Sequence, residues 1–153
     1  MKIVGSVKED LASEKRISIT PETTKKFVEV NFSVLLEKNY GEHLGILDEE
    51  YKSKGATFVN SKEEVLKKSE IILKVNCLSV DEISLIKDKS ILIGQFDPLS
   101  NKETINKLIK KEVKIFSLNL LPRITRAQSM DVLSSQANLA GYRAVIESVE
   151  EFG

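Results

Sequence analysis

The polar and charged side chains best suited to bind a ligand are concentrated in one short stretch, from Leu121 to Ser135. The stretch follows a predicted strand and opens a predicted helix, and ligands of parallel α/β sheets bind beyond the carboxyl ends of the strands. An ordinary structural role is the alternative, because loop-to-helix junctions are commonly polar and a carboxylate in a first turn is favoured by the helix dipole. The candidate side chains are Arg123, Arg126, Gln128, Asp131, Ser134 and Ser135.

Other kinds of site have little support. No glycine-rich dinucleotide motif and no phosphate-binding P-loop occurs, so the sequence predicts no site for the phosphates of a dinucleotide. His43 is the only histidine, which excludes a histidine-rich metal site, and we predict no bound metal. We interpret His43 as an exposed loop residue without a special role. Cys77 is the only cysteine, which excludes an intrachain disulfide and is typical of a reducing compartment.

The composition indicates a soluble chain without a nucleic-acid partner. The 23 basic and 23 acidic residues balance to a net charge of zero, whereas a nucleic-acid-binding domain usually carries a basic excess. The first residues include Lys8, Glu9 and Asp10 and lack the apolar core of a signal peptide. No stretch reaches the roughly 18 apolar residues of a membrane span. We therefore expect a soluble chain that is not itself inserted into a membrane.

Short apolar runs alternate with helical patterns along the chain, which predicts an α/β fold. The runs are rich in β-branched residues and do not alternate with polar ones, as expected for strands covered on both faces. The predicted fold is an open, mostly parallel sheet of about six strands with helices on both faces, flavodoxin-like or Rossmann-like, plus a long C-terminal interdomain helix. The predicted strands are Ile3–Val7, Ser33–Leu36, Thr57–Val59, Ile71–Val75, Ile91–Ile93 and Val113–Phe116.

Several helix starts are visible as capping signals. Thr20 precedes Pro21, a pairing typical of an N-cap followed by proline at the first helical position. Asp48 is predicted to cap a helix over Glu49–Lys54 that ends at Gly55. Serine followed three residues later by glutamate has the capping-box spacing, which satisfies two orphan amides at a helix start. This spacing occurs at Ser61 and Glu64, at Ser79 and Glu82, and at Ser100 and Glu103.

The last predicted element is longer than the others. Over Ala127–Phe152 only one glycine opposes a helix, and about 25 residues at about 1.5 Å each make it nearly 40 Å long. Thr125 and Gln128 have the capping-box spacing at its start. We predict an α/β domain over residues 1–125 and an interdomain helix over residues 126–153 that packs against a further lobe. Small residues line one side of the helix: Ser134, Ala137, Gly141, Ala144 and Ser148.

The segment from Pro122 to Ala144 resembles the signature loop and helix of the alpha subunit of proton-translocating NAD(P) transhydrogenases, in the alanine dehydrogenase/transhydrogenase N-terminal family. The match is dense and ungapped over more than about twenty residues, a length that chance rarely supplies. In the family, a glycine-rich NAD(H)-binding Rossmann lobe would follow near Gly153, which accounts for the missing phosphate motif. Shorter agreements extend the resemblance over essentially the whole chain; they include Glu14–Arg16, Ile19–Pro21, Glu37–Gly41 and Ile72–Asn76.

The resemblance implies part of an oxidoreductase that transfers hydride between NADH and NADP+ and couples this transfer to proton translocation. Arg123 would hydrogen-bond the carboxamide of the NADH nicotinamide, while Asp131 and Ser134 would orient that nicotinamide and its ribose. Gln128 would face the second nicotinamide, that of NADP(H) on a partner domain, and Tyr142 would lie near the NADH. All five residues would therefore bind cofactor, and Gln128, Arg123 and Asp131 would be catalytic, since hydride transfer requires two rings in near-attack geometry.

The resemblance also implies partners and a location. The missing lobe would bind most of the NAD(H), a beta subunit would bring the NADP(H)-binding domain, and a membrane domain would translocate protons. The alpha subunit would form a homodimer in the cytoplasm, peripheral to the inner face of the plasma membrane. We expect the isolated chain to be inactive.

Two alternatives remain open. The N-terminal pattern is also similar to alanine dehydrogenase, in which Arg16 and Lys74 would hold the carboxylate of pyruvate or alanine. That family places a catalytic histidine after the strand Ile91–Ile93, whereas this chain has Gln95–Pro98 there. Lys74, inside an apolar strand, would need a carboxylate or carbonyl partner if buried. The second alternative is a non-catalytic lobe that dimerises or regulates, as the small-residue side of the last helix and the lack of a phosphate site indicate.

Overall fold

The computed structural model describes residues 1–152, and Gly153 lies outside the described residues. The chain forms two compact units, Met1–Ser117 and Leu118–Gly153. The first unit contains the whole sheet, and the second contains the polar stretch and the last helix. The domain division that we predict after residue 125 falls within the second unit.

The first unit is built on one parallel six-stranded sheet in the order β3-β2-β1-β4-β5-β6. The strand ends differ from the predicted ones by at most two residues, so the predicted open parallel sheet is confirmed. The order reverses between β1 and β4, and ligands of such sheets commonly bind at this switch point. The strands are β1 (Lys2–Ser6), β2 (Phe32–Glu37), β3 (Ala56–Val59), β4 (Ile71–Leu73), β5 (Ile91–Gly94) and β6 (Lys114–Ser117).

Five α-helices connect these strands within residues 1–117, all of which the structure describes. Each connection contains one of them, because parallel neighbours require a crossover rather than a tight hairpin. A short 3-10 helix, Glu42–Leu44, follows β2. The α-helices are α1 (Pro21–Glu29), α2 (Asp48–Ser53), α3 (Lys62–Lys68), α4 (Val80–Leu85) and α5 (Lys102–Lys110).

Alternate residues of β2 enter two hydrophobic clusters, one on each face of the sheet. Val34 and Leu36 join a cluster that includes Tyr51 of α2 and has Phe27 of α1 packed against it. Leu35 joins the other cluster, which contains side chains of α3, α4 and α5. Full burial of one such aliphatic side chain stabilises the fold by about 1.5–3 kcal/mol. Helices therefore cover both faces, as the uninterrupted apolar runs predict.

Three predicted helix starts are confirmed. Ser61 and Ser79 accept hydrogen bonds from backbone amides three residues on, those of Glu64 (3.3 Å) and Glu82 (3.2 Å). Glu82 completes its capping box by accepting a hydrogen bond from the Ser79 amide. Thr20 caps α1, as the threonine–proline pair predicts.

Two predicted caps are wrong. Asn101, not Ser100, is the N-cap of α5, because the Ser100 hydroxyl donates to the Asp97 carboxylate in the preceding turn. Asp48 is the first residue of α2 rather than its cap. Its carboxylate accepts hydrogen bonds from the Asn39 amide after β2 (3.0 and 3.1 Å). In both cases the side chain hydrogen-bonds to a residue before the helix instead of accepting from the helix amide that the sequence spacing predicts.

The second unit combines two 3-10 helices with one long α-helix. The 3-10 helices are Leu118–Leu120 and Thr125–Met130, and the α-helix, α6, is Val132–Phe152 with 21 residues. The predicted long C-terminal helix is thus confirmed. No helix within residues 1–152 combines the length and apolar character that a membrane crossing requires.

The predicted start of this long helix is wrong. It begins at Val132 rather than Ala127, and the capping box predicted for Thr125 and Gln128 does not form, because no side chain caps the 3-10 helix. The physical reason is the backbone of Asp131, whose ψ angle of 89° interrupts the helical path one residue before α6.

Candidate functional site

A cavity of about 650 Å³ lies within the second unit, between the 3-10 helix and the start of α6. Four predicted site residues line it: Arg123, Gln128, Asp131 and Ser134. We call this the junction cavity and call residues 122–131 the junction turn. The cavity is also lined by residues that are not among the predicted site residues and whose only signal for such a role is their place in the same stretch: Pro122, Ile124, Thr125 and Ala127.

Short-range backbone hydrogen bonds shape the junction turn. The Ile124 amide donates to the Pro122 carbonyl (2.9 Å) and the Ala127 amide donates to the Ile124 carbonyl (2.9 Å). Ala127 is only 4% exposed and is the one buried side chain from Pro122 to Met130, all of which the structure describes. Its methyl group therefore anchors the turn while the larger neighbouring side chains remain accessible.

Asp131 forms the acceptor side of the junction cavity. Its Oδ1 accepts hydrogen bonds from the amides of Leu133 (3.1 Å) and Ser134 (3.0 Å), and its Oδ2 accepts one from the Ser134 hydroxyl (2.6 Å). These donors, the Ser134 hydroxyl first, hold the pKa of Asp131 below its ordinary value, and the nearby Arg123 guanidinium acts in the same direction. Asp131 is therefore ionised at neutral pH and caps the first turn of α6.

The same contact fixes the hydrogen-bonding direction of Ser134. A hydroxyl has one hydrogen to donate, and that hydrogen is directed to Asp131. A ligand in the junction cavity therefore meets only oxygen lone pairs at Ser134 and Asp131, and it must donate to them.

Arg123 and Gln128, which also line the cavity, supply the complementary chemistry. Both side chains are exposed. A guanidinium only donates hydrogen bonds, whereas an amide can donate and accept. The cavity thus offers donors at Arg123 and Gln128 and acceptors at Asp131 and Ser134, which suits a ligand group carrying a carbonyl oxygen beside an N–H. A primary carboxamide is such a group.

Tyr142 is the one predicted site residue that the structure does not bring to the cavity. It lies on α6, about two turns beyond Ser134, where it is exposed and does not line the junction cavity. A role for Tyr142 therefore depends on groups outside the second unit.

Lys74, at the carboxyl end of β4, already has carboxylate partners. Its Nζ lies 2.9 Å from Glu9 Oε2 and 3.9 Å from Glu82 Oε2. The side chains of Lys74 and Glu9 are 6% and 4% exposed, and Glu9 Oε1 also accepts a hydrogen bond from the Val75 amide (2.7 Å). The partner that a buried Lys74 needs is therefore present inside the chain, although the sequence does not identify which carboxylate it is.

Arg16 is paired in a similar way. Its Nε and Nη2 donate to the two carboxylate oxygens of Glu14 at 2.9 and 2.6 Å. This bidentate contact raises the pKa of Arg16 and holds the pKa of Glu14 below its ordinary value. Both cations proposed for a keto-acid carboxylate are thus occupied by carboxylates of the chain itself.

The remaining candidates show no catalytic arrangement. His43 is exposed, and its Nε2 lies 2.8 Å from the Lys15 carbonyl oxygen. Partial burial raises the pKa of the Cys77 thiol, which disfavours the reactive thiolate. Among residues 1–152, no cluster of histidine, cysteine, aspartate and glutamate side chains could hold a metal ion.

The comparisons with known proteins agree with the resemblance carried by Pro122–Ala144. The family model described as "Alanine dehydrogenase/PNT, N-terminal domain" matches residues 5–140. The chain belongs to this family. The family match includes strands β2 to β6 in full and the entire junction turn.

Two curated relatives each carry a name that designates the first part of an NAD(P) transhydrogenase alpha subunit. The protein from Rickettsia prowazekii is 41% identical over 152 residues, and the match covers 97% of this chain and 39% of the relative. The protein from Rhodospirillum rubrum is 38% identical over 150 residues, covering 95% of this chain and 39% of the relative. The chain thus spans about two fifths of the length of these relatives.

A solved structure shows the same fold. The transhydrogenase from Sinorhizobium meliloti is 41% identical and superposes with a TM-score of 0.90, covering 98% of this chain and 45% of that chain. The predicted family and fold class are therefore confirmed.

Proposed function

We propose that this chain supplies the nicotinamide-contacting part of an NAD(P) transhydrogenase, an oxidoreductase that transfers hydride between NADH and NADP+ and couples the transfer to proton translocation. The observation that carries the proposal is the junction cavity, which Arg123, Gln128, Asp131 and Ser134 line together. The similarity to transhydrogenase alpha subunits supports it.

The donor set of the cavity fits the carboxamide of a nicotinamide. Arg123 donates to the carboxamide oxygen, and Asp131 and Ser134 accept from its N–H groups or from the ribose hydroxyls. When bound, the nicotinamides of NAD(H) and NADP(H) supply the hydride chemistry. The residues of this chain bind and orient; none of them has to move a proton for the transfer.

In this proposal Gln128 contacts the nicotinamide of NADP(H) as well as lining the cavity for that of NADH. Its amide can donate and accept at once, and its exposed position lets it contact a second nicotinamide brought by a partner. Tyr142, exposed on α6, would lie near the NADH once the rest of the alpha subunit is present. Because hydride transfer depends on the distance between the two nicotinamides, a displacement of about 1 Å after loss of the Gln128 contact can lower the transfer rate about 10²-fold.

Catalysis on this proposal requires parts outside the chain. The phosphates of NAD(H) are anchored by polypeptide that the longer relatives contain, and NADP(H) is brought by the binding domain of the beta subunit. The alpha subunit is a homodimer on the cytoplasmic side, peripheral to the inner membrane face, and a membrane domain translocates the protons. With its zero net charge, the chain is not expected to bind nucleic acid.

Alanine dehydrogenase activity is less well supported. Arg16 and Lys74 would have to release Glu14 and Glu9 before they could hold a keto-acid carboxylate. The segment Gln95–Pro98, where the alanine dehydrogenase pattern has a histidine, has none. Alanine-dependent reduction of NAD by the full-length protein would restore this alternative. A purely regulatory lobe would leave the chemistry of the junction cavity unexplained.

The replacement Gln128→Asn in the complete alpha–beta complex tests the proposal. It keeps the amide but withdraws it by about one carbon–carbon bond, so hydride transfer should fall about 10²-fold while the affinity for NADH stays nearly unchanged. Stopped-flow transfer rates and NADH titration measure the two quantities. Gln136→Asn is the matched control, because Gln136 lies on α6 outside the junction cavity. Unchanged transfer in Gln128→Asn, or an equal loss in Gln136→Asn, would contradict the role of Gln128.

A further inference from the structure

The break between the junction turn and α6 is not required by the residue types around it. The 3-10 helix Thr125–Met130 contains neither glycine nor proline, and the sequence predicts an α-helix from Ala127 onward. Runs of 3-10 helix longer than three or four residues are uncommon, because their hydrogen bonds have poorer geometry. A six-residue run that continues directly toward an α-helix is therefore held by something other than its own preference.

The Asp131 carboxylate lies at the break and satisfies amides on its α6 side. It accepts hydrogen bonds from the amides of Leu133 and Ser134. In a continuous α-helix each amide donates to the carbonyl four residues earlier, so these two amides would instead donate to Ser129 and Met130. The side-chain cap and the longer helix thus compete for the same two donors, and only one of them can form.

Little packing opposes a change between the two arrangements. From Pro122 to Met130, all side chains except Ala127 are exposed. Extending the helix would withdraw one methyl group from a buried position and would exchange 3-10 hydrogen bonds for α-helical ones. The balance therefore depends mainly on the cap at Asp131.

We propose that residues 125–131 form a two-state segment, with Asp131 as its latch. In the capped state the junction cavity exists as observed. In the other state α6 extends by seven residues, about 10 Å, and the concave surface between Gln128 and Ser134 is lost. The link to ligand binding rests on the proposed function: nicotinamide binding selects the capped state, because only that state offers the complementary cavity.

NMR spectroscopy of the full 153-residue chain tests the latch without any nucleotide. In the unmodified chain the Cα shifts of Thr125–Met130 should differ from those of α6. Asp131→Ala removes the cap, and the same shifts should then become α-helical. Asp131→Asn keeps a good capping side chain and should retain the turn. Persistence of the turn in Asp131→Ala, or equal helicity in Asp131→Ala and Asp131→Asn, would overturn the proposal.

Two further variants separate the latch from simple helix propensity. Ser129→Ala raises helix propensity but leaves the cap intact, so it should not extend α6; extension in this variant would show that the cap is not decisive. Adding Ser129→Gly to Asp131→Ala should lower the equilibrium constant for helix extension about twofold, and an unchanged equilibrium constant would refute helix extension. Because these measurements require no hydride transfer, their failure is distinguishable from a failure of the Gln128 test.

Discussion

The surroundings of Lys74 argue against an alanine dehydrogenase, although a lysine at this position is shared with that family's pattern. A buried ammonium is tolerated only when it is paired, and here Glu9 lies 2.9 Å away with Glu82 beyond it at 3.9 Å. A keto acid would have to displace a carboxylate that is also fixed by the Val75 amide. The pair is therefore best understood as a structural link between the segment after β1 and the end of β4.

Removing the carboxylate of this pair should reveal its structural role. Glu9→Gln leaves the buried Lys74 with only the longer contact to Glu82 (3.9 Å) as a counter-charge. The loss of stability should therefore lie near the lower end of the about 3–5 kcal/mol that breaking a buried pair typically costs. We expect a loss of that order in the free energy of unfolding, measured by urea denaturation followed by circular dichroism. Adding Lys74→Met to Glu9→Gln should restore much of the loss, because the buried cation is then gone and Glu82 keeps its contact with Lys62 (3.5 Å).

An exposed pair in the same chain provides the control. Lys26 and Glu22 lie 3.0 Å apart on α1 with both side chains exposed, and such surface pairs contribute about 0–1 kcal/mol. Glu22→Gln should therefore change stability little. A loss in Glu9→Gln no larger than in Glu22→Gln would mean that Lys74 is solvated in solution and available to a ligand.

At the scale of elements, the central strands are predictable because they are apolar runs covered on both faces, as β2 shows. Val34, Leu35 and Leu36 are all buried, and no polar alternation complicates the pattern. Caps are less predictable, because a short polar side chain can satisfy several nearby donors. Ser79 caps its helix, whereas Ser100 contacts Asp97 instead, and the sequence spacing is identical in the two cases.

The end of α5 stores backbone strain that a single replacement should release. Glu112 has a φ angle of 55°, in the left-handed region that costs a non-glycine residue roughly 1–2 kcal/mol. It lies just beyond the helix, and the next amide, that of Val113, donates back to the Leu108 carbonyl (3.1 Å). Glycine is the residue that such helix ends favour. Glu112→Gly should therefore raise the free energy of unfolding by about 1 kcal/mol.

Two further replacements test whether backbone conformation causes the higher free energy of unfolding expected for Glu112→Gly. Thermal or urea unfolding measures all three variants. Glu112→Ala removes the exposed contact with Lys89 (3.5 Å) but keeps the strained Cβ, so it should not stabilise. Lys110→Gly places glycine at the last residue of α5, where the backbone is helical, and should therefore destabilise rather than stabilise. Stabilisation by alanine equal to that by glycine would show that charge, not backbone conformation, limits stability at Glu112.

For the molecule as a whole, contacts between residues close in the sequence are easier to predict than contacts between distant ones. Arg123, Gln128, Asp131 and Ser134 lie close together in the sequence, so their convergence on one cavity could be predicted from the stretch itself. The pairing of Glu9 with Lys74 spans 65 positions and depends on the order of strands in the sheet. The start of α6 is mispredicted for a local reason, since helix propensity alone does not weigh the Asp131 cap.

The long helix α6 has no buried side chain to stabilise it by packing. None of its 21 residues is buried, and its exposed apolar side chains include Tyr142, Val145, Val149 and the 92% exposed Phe152. Helical stability in proteins comes mostly from packing an apolar face, and isolated helices are marginal in water. α6 should therefore open locally without unfolding of the first unit.

Hydrogen exchange on the 153-residue chain at low concentration measures this difference. Amides of α6 should exchange much faster than those of β1 and β4, whose opening approaches global unfolding. α5 is the internal control, because it has only nine residues but buries Leu108 completely; it should be better protected than the longer α6. Equal protection of α6 and β1 would contradict this expectation. Protection that rises with protein concentration would instead indicate that a second copy of the chain covers the apolar side chains of α6.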